Sequence, residues 1–162
     1  MPKITIPQDT KILAALGTIA LRHGQLDNAM RMVIKDLAGV SREEALDATA
    51  YQGFRELKDR IKKISKRRIG EGEALIKLQA LLERASRATD KRNAILHSVW
   101  GFDGVDVVMR NDDHQYENAP SLDELRKIAD DLQEIKSELV NARKDGFIAD
   151  AIEKSSRAKP QE

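Results

Sequence analysis

The chain has 162 residues, no cysteine, and 28 Lys and Arg against 27 Asp and Glu. That length suits one domain with a real core; the missing cysteines exclude a disulfide scaffold and thiolate zinc sites, and the balanced charge leaves any nucleic-acid signal to be local. The amino end, MPKITIPQDT, lacks the apolar core and cleavage site of a signal peptide, and the longest uncharged apolar run, ILAALGTIAL at 12–21, is too short to cross a bilayer, so a cytoplasmic protein with no membrane partner is expected.

In chain order, a short extended arm with Pro2 and Pro7 precedes a long helix capped by Asp9 or Thr10, with apolar positions Leu13, Leu16, Ile19, Leu26, Met30, Val33 and Leu37. Gly39 ends it. Ser41 with Glu43 and Glu44 starts a shorter helix, SREEALDATA, and Gly53 precedes a third, FRELKDRIKKISKRR, held by Phe54, Leu57, Ile61 and Ile64. GEGE at 70–73 punctuates the chain. A fourth helix runs from Glu73 to about Val99, and WGFDGVDVVMR follows, with Asp103-Gly104 as the signal for a tight hairpin. After the loop NDDHQYENAP, Ser121 and Glu124 form a capping box for a last helix through about Lys144, closed by Gly146; the tail to Glu162 is polar and expected to fray. The fold class expected is all-α: an antiparallel bundle of four to five helices with one small β-hairpin after the fourth.

The fourth helix poses the chemical question. Leu78, Leu81, Ala85, Ala88, Ile95 and Val99 make one apolar face, and Arg92 falls on it. A guanidinium there must be paired or line a cleft, because a buried charge without a partner is costly. Asp27 on the first helix is a plausible partner, since Gly17 and Gly24 would let another helix approach there. Asn93 and His97, four apart, stack beside Arg92. A cation, an amide and a titratable imidazole within two turns are groups that bind a phosphodiester and move its protons.

RNAILH at 92–97 matches the Arg-and-His motif, with four to six residues between, of HEPN (higher eukaryotes and prokaryotes nucleotide-binding) domains. The surroundings are similar too: a first helix of the form GTIALRHGQLDNAM, the motif late in a long helix, a Trp-containing hairpin and a closing helix, over roughly residues 10–145. The resemblance implies a HEPN-like helical domain over 1–145 with a polar tail at 146–162, and a homodimer whose two motifs meet in a groove. It implies a metal-independent endoribonuclease of toxin–antitoxin or antiphage type, with no cofactor, acting on RNA and regulated by an antitoxin protein or a nucleotidyltransferase. Arg92 would stabilise the phosphorane charge, Asn93 orient the phosphate or imidazole, and His97 transfer protons; Asp27 is a supporting residue added from the helix pattern. Inactive relatives set the alternative, a non-catalytic module binding RNA, nucleotide or a protein partner.

Elsewhere, KDRIKKISKRR carries the strongest local charge bias, and Lys62, Lys63, Lys66, Arg67 and Arg68 are candidate RNA-backbone contacts, weighed evenly against a solvated helix face. His23, on the first helix's apolar stripe, reads as a satisfied core histidine. No metal site is expected from it or from His114 in the loop with NDD. GEGE reads as a turn, since its carboxylates would repel a phosphate. Trp100 and Phe102 read as the seam between hairpin and bundle rather than a base-stacking platform.

Overall fold

A computed structural model describes residues 1–110 and 113–158. The chain is mostly helical, as expected. In order come β1 (Lys3–Ile4), α1 (Thr10–Ala38), α2 (Arg42–Thr49), α3 (Phe54–Ile69), α4 (Glu73–Leu96), β2 (Val99–Phe102), β3 (Val107–Arg110), β4 (Tyr116–Asn118), α5 (Leu122–Lys144) and α6 (Phe147–Ala158). The residues cluster into two compact units, one of Met1–His23 and Arg87–Gln133, the other of Gly24–Ser86 and Glu134–Glu162.

The first unit joins a four-stranded antiparallel sheet, in the order β1-β2-β3-β4, to the first part of α1, the end of α4 and the start of α5. The expected hairpin is its centre, with Trp100 opposite Met109 and Val99 opposite Arg110. Asp103 accepts hydrogen bonds from the backbone N–H groups of Val105 and Asp106 at the turn, which holds its carboxyl below the usual carboxylate range. The extended arm becomes β1, pairing Ile4 with Gly101. A Cβ at Gly101 would lie 3.0 Å from the carbonyl oxygen of Lys3, so only glycine lets β1 cross there without a shift. Part of the expected loop forms β4 on the other side, with Tyr116 opposite Arg110; Asn111 and Asp112 of that loop lie outside the described residues. Ala15, Ile19, Ala88, Ile95, Val108, Leu125 and Leu132 supply this unit's buried core.

The second unit is helical. Its core is aliphatic, with Leu26, Met30, Leu37, Leu57, Ile61, Leu78, Leu82, Leu139 and Ile148 fully buried. Arg31 donates to the carbonyls of Gln52 at 2.9 Å and Thr49 at 3.4 Å, satisfying acceptors at the end of α2. Arg143 grips Asp36 at 2.6 Å, tying α5 to α1. The segment after Gly146, expected to fray, forms α6 through Ala158, with Ile148 buried and Arg68 of α3 donating to Ser156 at 3.0 Å; residues 159–162 lie outside the described residues. At Gly146 a Cβ would sit 2.9 Å from the Cα of Ala142, so the α5–α6 junction leaves no room for a side chain.

Local chemistry sets the helix ends. Asp9 caps α1, accepting from the Lys11 N–H at 2.8 Å. Both expected capping boxes form: Ser41 with Glu44, and Ser121 with Glu124, where the Ser121 N–H donates to the carboxylate at 2.7 Å and the Glu124 N–H to the Ser121 hydroxyl at 3.2 Å. These bonds, first the one from the serine backbone N–H, hold both glutamates below their ordinary value of 4.5. A depressed folded-state pKa stabilises above the unfolded value, and that contribution is lost as pH falls through the folded one. The Glu44→Gln, Glu124→Gln double variant keeps an acceptor at each cap but cannot titrate, so its melting temperature should fall less between pH 7 and pH 3 than that of the wild type. Parallel acid-melting curves would show the glutamates play no such part.

Candidate functional site at the end of α4

The apolar stripe of α4 forms as expected, with Ala85, Ala88 and Ile95 buried, and Arg92 sits on it half-buried. The helix is shorter than its pattern suggests. It stops at Leu96: the His97 N–H still makes the helical bond to Asn93 O at 3.0 Å, but the next carbonyls are claimed by side chains, that of Ala94 by the Ser98 hydroxyl and that of Ile95 by the Trp100 indole N–H at 3.0 Å. Trp100 is therefore the seam between helix and sheet, and its position determines where the chain leaves α4.

That exit places His97 just beyond the helix, exposed, while the Asn93 side chain remains half-buried on it. Arg92 joins the two. Its Nη1 donates to Asn93 Oδ1 at 2.8 Å and lies 3.3 Å from His97 Nε2. A guanidinium has no acceptor, so this contact is a hydrogen bond only when His97 presents the Nε2 lone pair to it. The Nε atom of Arg92 is buried with no hydrogen-bond partner. The three expected motif residues are thus together, and the guanidinium, with no carboxylate on it and its Nε unbonded, has donor capacity to spare. An entering anion would find a charged donor, an amide and an imidazole within two turns of backbone.

The remaining expected residues are placed differently. Asp27 is half-buried on α1. A Cβ on Gly17 or Gly24 would meet no heavy atom within 4 Å, so among the described residues these glycines do not serve the close helix approach expected of them. His23 is 7% exposed, with its Nε2 3.2 Å from the hydroxyl of buried Thr89, the satisfied core histidine expected.

On α3, Lys62 pairs with Glu83 at 2.9 Å, Lys66 with Glu71 at 3.2 Å, and Arg68 bonds Ser156, whereas Lys63 and Arg67 stand exposed. Arg67 and Arg68 line a groove of about 640 Å³ with Lys77 and Lys154, but Glu71, Glu73 and Asp150 line it too. Paired lysines and a mixed rim leave α3 a weaker anion surface than its sequence suggests. GEGE is the expected turn, with Gly70 and Gly72 at φ of 70° and 148°.

Among the described residues no three His, Asp or Glu side chains group as a metal-ligand set, and no helix is long and apolar enough to cross a membrane. No protein-family model, no curated protein and no solved structure matches this chain.

Proposed function

We propose that the protein is a metal-independent endoribonuclease of HEPN type whose working centre is Arg92, Asn93 and His97. The observation that carries this reading is the Arg92 guanidinium held between Asn93 and His97 at the end of α4, with its Nε buried and unbonded. In the reaction, the ribose 2′-OH attacks the adjacent phosphorus, the bond to the 5′-oxygen breaks, and a 2′,3′-cyclic phosphate remains. One group must take the 2′-OH proton while another gives a proton to the leaving oxygen. In its neutral form His97 supplies a lone pair for the first task once substrate draws Arg92 away from Nε2, Arg92 offers charge-assisted donors to the phosphorane oxygens, and Asn93 keeps the guanidinium oriented.

One protomer offers one imidazole here, so the acid is assigned to His97 of a second copy across a twofold axis. What supports association in the same unit is that α1 exposes Leu13, 39% accessible, and Leu21, 74% accessible, on either side of Gly17 and Ala20, an uncharged strip. Light scattering at tens of micromolar should therefore return a dimer mass. A monomer at that concentration would remove the composite site.

A second reading, a non-catalytic module binding RNA, nucleotide or a protein partner such as an antitoxin or nucleotidyltransferase, draws on one specific feature: Arg92 occupies the very lone pair that a base at His97 would use. RNA cleavage in EDTA by wild type and His97→Ala separates the two readings.

A further inference from the structure

Arg110 ends β3, and the register places it directly opposite Val99 on one side and Tyr116 on the other. Val99 opens β2 two residues after His97. Two residues of extended chain and one strand spacing span about 12 Å at most, so the Arg110 backbone is a near neighbour of the His97 backbone at the end of the sheet where α4 enters. Directly opposed residues share a face of the sheet, so Arg110 and Tyr116 stand side by side.

Arg110 is half-buried, and among the described residues its side chain finds neither a hydrogen-bond acceptor nor a carboxylate. Among the other half-buried arginines, Arg22 is satisfied by Asp130, Arg84 by Glu138, Arg143 by Asp36 and Arg31 by two carbonyls, whereas Arg60 on α3 shares with Arg110 the lack of a partner among the described residues. The rest of β3 is Val107, Val108 and Met109, none of which carries a carboxylate or amide in its side chain. Next to it, the Tyr116 hydroxyl is buried and also without a hydrogen-bond partner. The Tyr116 hydroxyl has thus lost water without gaining an acceptor, and beside it stands a guanidinium with no acceptor of its own, a pairing suited to an anion rich in acceptor oxygens.

We propose that Arg110, with Tyr116 beside it, is a second phosphate subsite that takes a backbone phosphate flanking the scissile one in single-stranded RNA. The proposal rests on the reading that Arg92 and His97 receive RNA. It assigns affinity to the sheet end and chemistry to α4. A charge that meets only phosphate reads no base, so its loss should weaken all sequences alike.

The test uses the full chain and a fluorescent RNA with a 2′-deoxy substitution at its cleavage site, read by anisotropy across a salt series, beside cleavage of the unsubstituted RNA. Arg110→Ala should weaken binding roughly tenfold and lower the slope of log affinity against log salt by about one, as loss of one phosphate contact does. It should raise KM and leave kcat nearly unchanged, while His97→Ala removes kcat and keeps binding. Arg110→Lys should recover most of the affinity, since the subsite needs a cation; a purely structural guanidinium would not be rescued. If Arg110→Ala melts early, Arg110→Gln carries the same comparison. Binding that depends on Arg110 without cleavage by the wild type would uphold the subsite and end the nuclease reading. Cleavage with KM unmoved in folded Arg110→Ala would end the subsite and leave the nuclease. A wild type that neither binds nor cleaves would overturn both.

Discussion

Replacing His97 by alanine should reduce RNA cleavage by about two to four orders of magnitude, the range for removing a general acid–base group, while the melting temperature stays nearly unchanged. His97 is exposed and, among the described residues, its ring's one hydrogen-bonding contact is with the Arg92 side chain, whereas its structural bond, from the backbone N–H to Asn93 O, survives the substitution. Arg92 keeps its bond to Asn93 Oδ1 in the variant. Gel assays in EDTA read the activity, and calorimetry reads the fold. The product should end in a 2′,3′-cyclic phosphate, and a 2′-deoxy substitution at the scissile nucleotide should block the reaction by removing its nucleophile. Undiminished cleavage by folded His97→Ala, or cleavage of the deoxy substrate, would rule the mechanism out. Arg92→Ala is the poorer probe, because its half-buried stem lies on the apolar stripe and its removal costs packing as well as charge.

The largest effect on stability is expected at Leu82. It is fully buried on α4 among the aliphatic side chains of the helical unit, so Leu82→Ala loses both transfer free energy and the contacts around the cavity it leaves, about 2 to 5 kcal/mol. For a chain of this length that amounts to a fall in melting temperature of roughly 5–15 °C. Ile76→Ala offers the control on the same helix: a comparable truncation at a position 67% exposed should cost no more than about 0.5 kcal/mol. Urea denaturation measures both. Near-equal losses at the two positions would mean that the burial pattern does not describe the folded core.

Much of the architecture is legible residue by residue because its causes are local. Ser41 with Glu44, and Ser121 with Glu124, announce their helices through side-chain oxygens three residues from the N–H groups they accept from. The stripe from Leu78 to Ile95 marks the buried face of α4, and it exposes Arg92 as the anomaly. The Asp103-Gly104 turn marks the hairpin, which forms where expected. What was missed carries faint local signals. β1 has two residues and β4 three, too few for an alternating pattern, and each exists because a neighbouring strand offers it hydrogen bonds. The α6 segment does hold Ile148, Ala151 and Ile152 at helical spacing, a signal outweighed in the sequence by the charged residues around it.

The sequence by itself determined which residue types meet at the end of α4, because Arg92, Asn93 and His97 are joined by a few peptide bonds and α-helical geometry leaves them little freedom to part. It determined the core histidine too, since His23 lies on an apolar stripe that has to be buried. Only the tertiary structure decided that His97 stands outside the helix and meets Arg92. The Trp100 indole takes the carbonyl of Ile95 as β2 pairs with β3, and that competition ends α4 at Leu96, ahead of the Val99 that periodicity favoured. It also decided that Arg110, thirteen residues beyond His97 in the chain, comes to the same end of the sheet. Strand register is set by pairing between distant segments, and no local spacing encodes it.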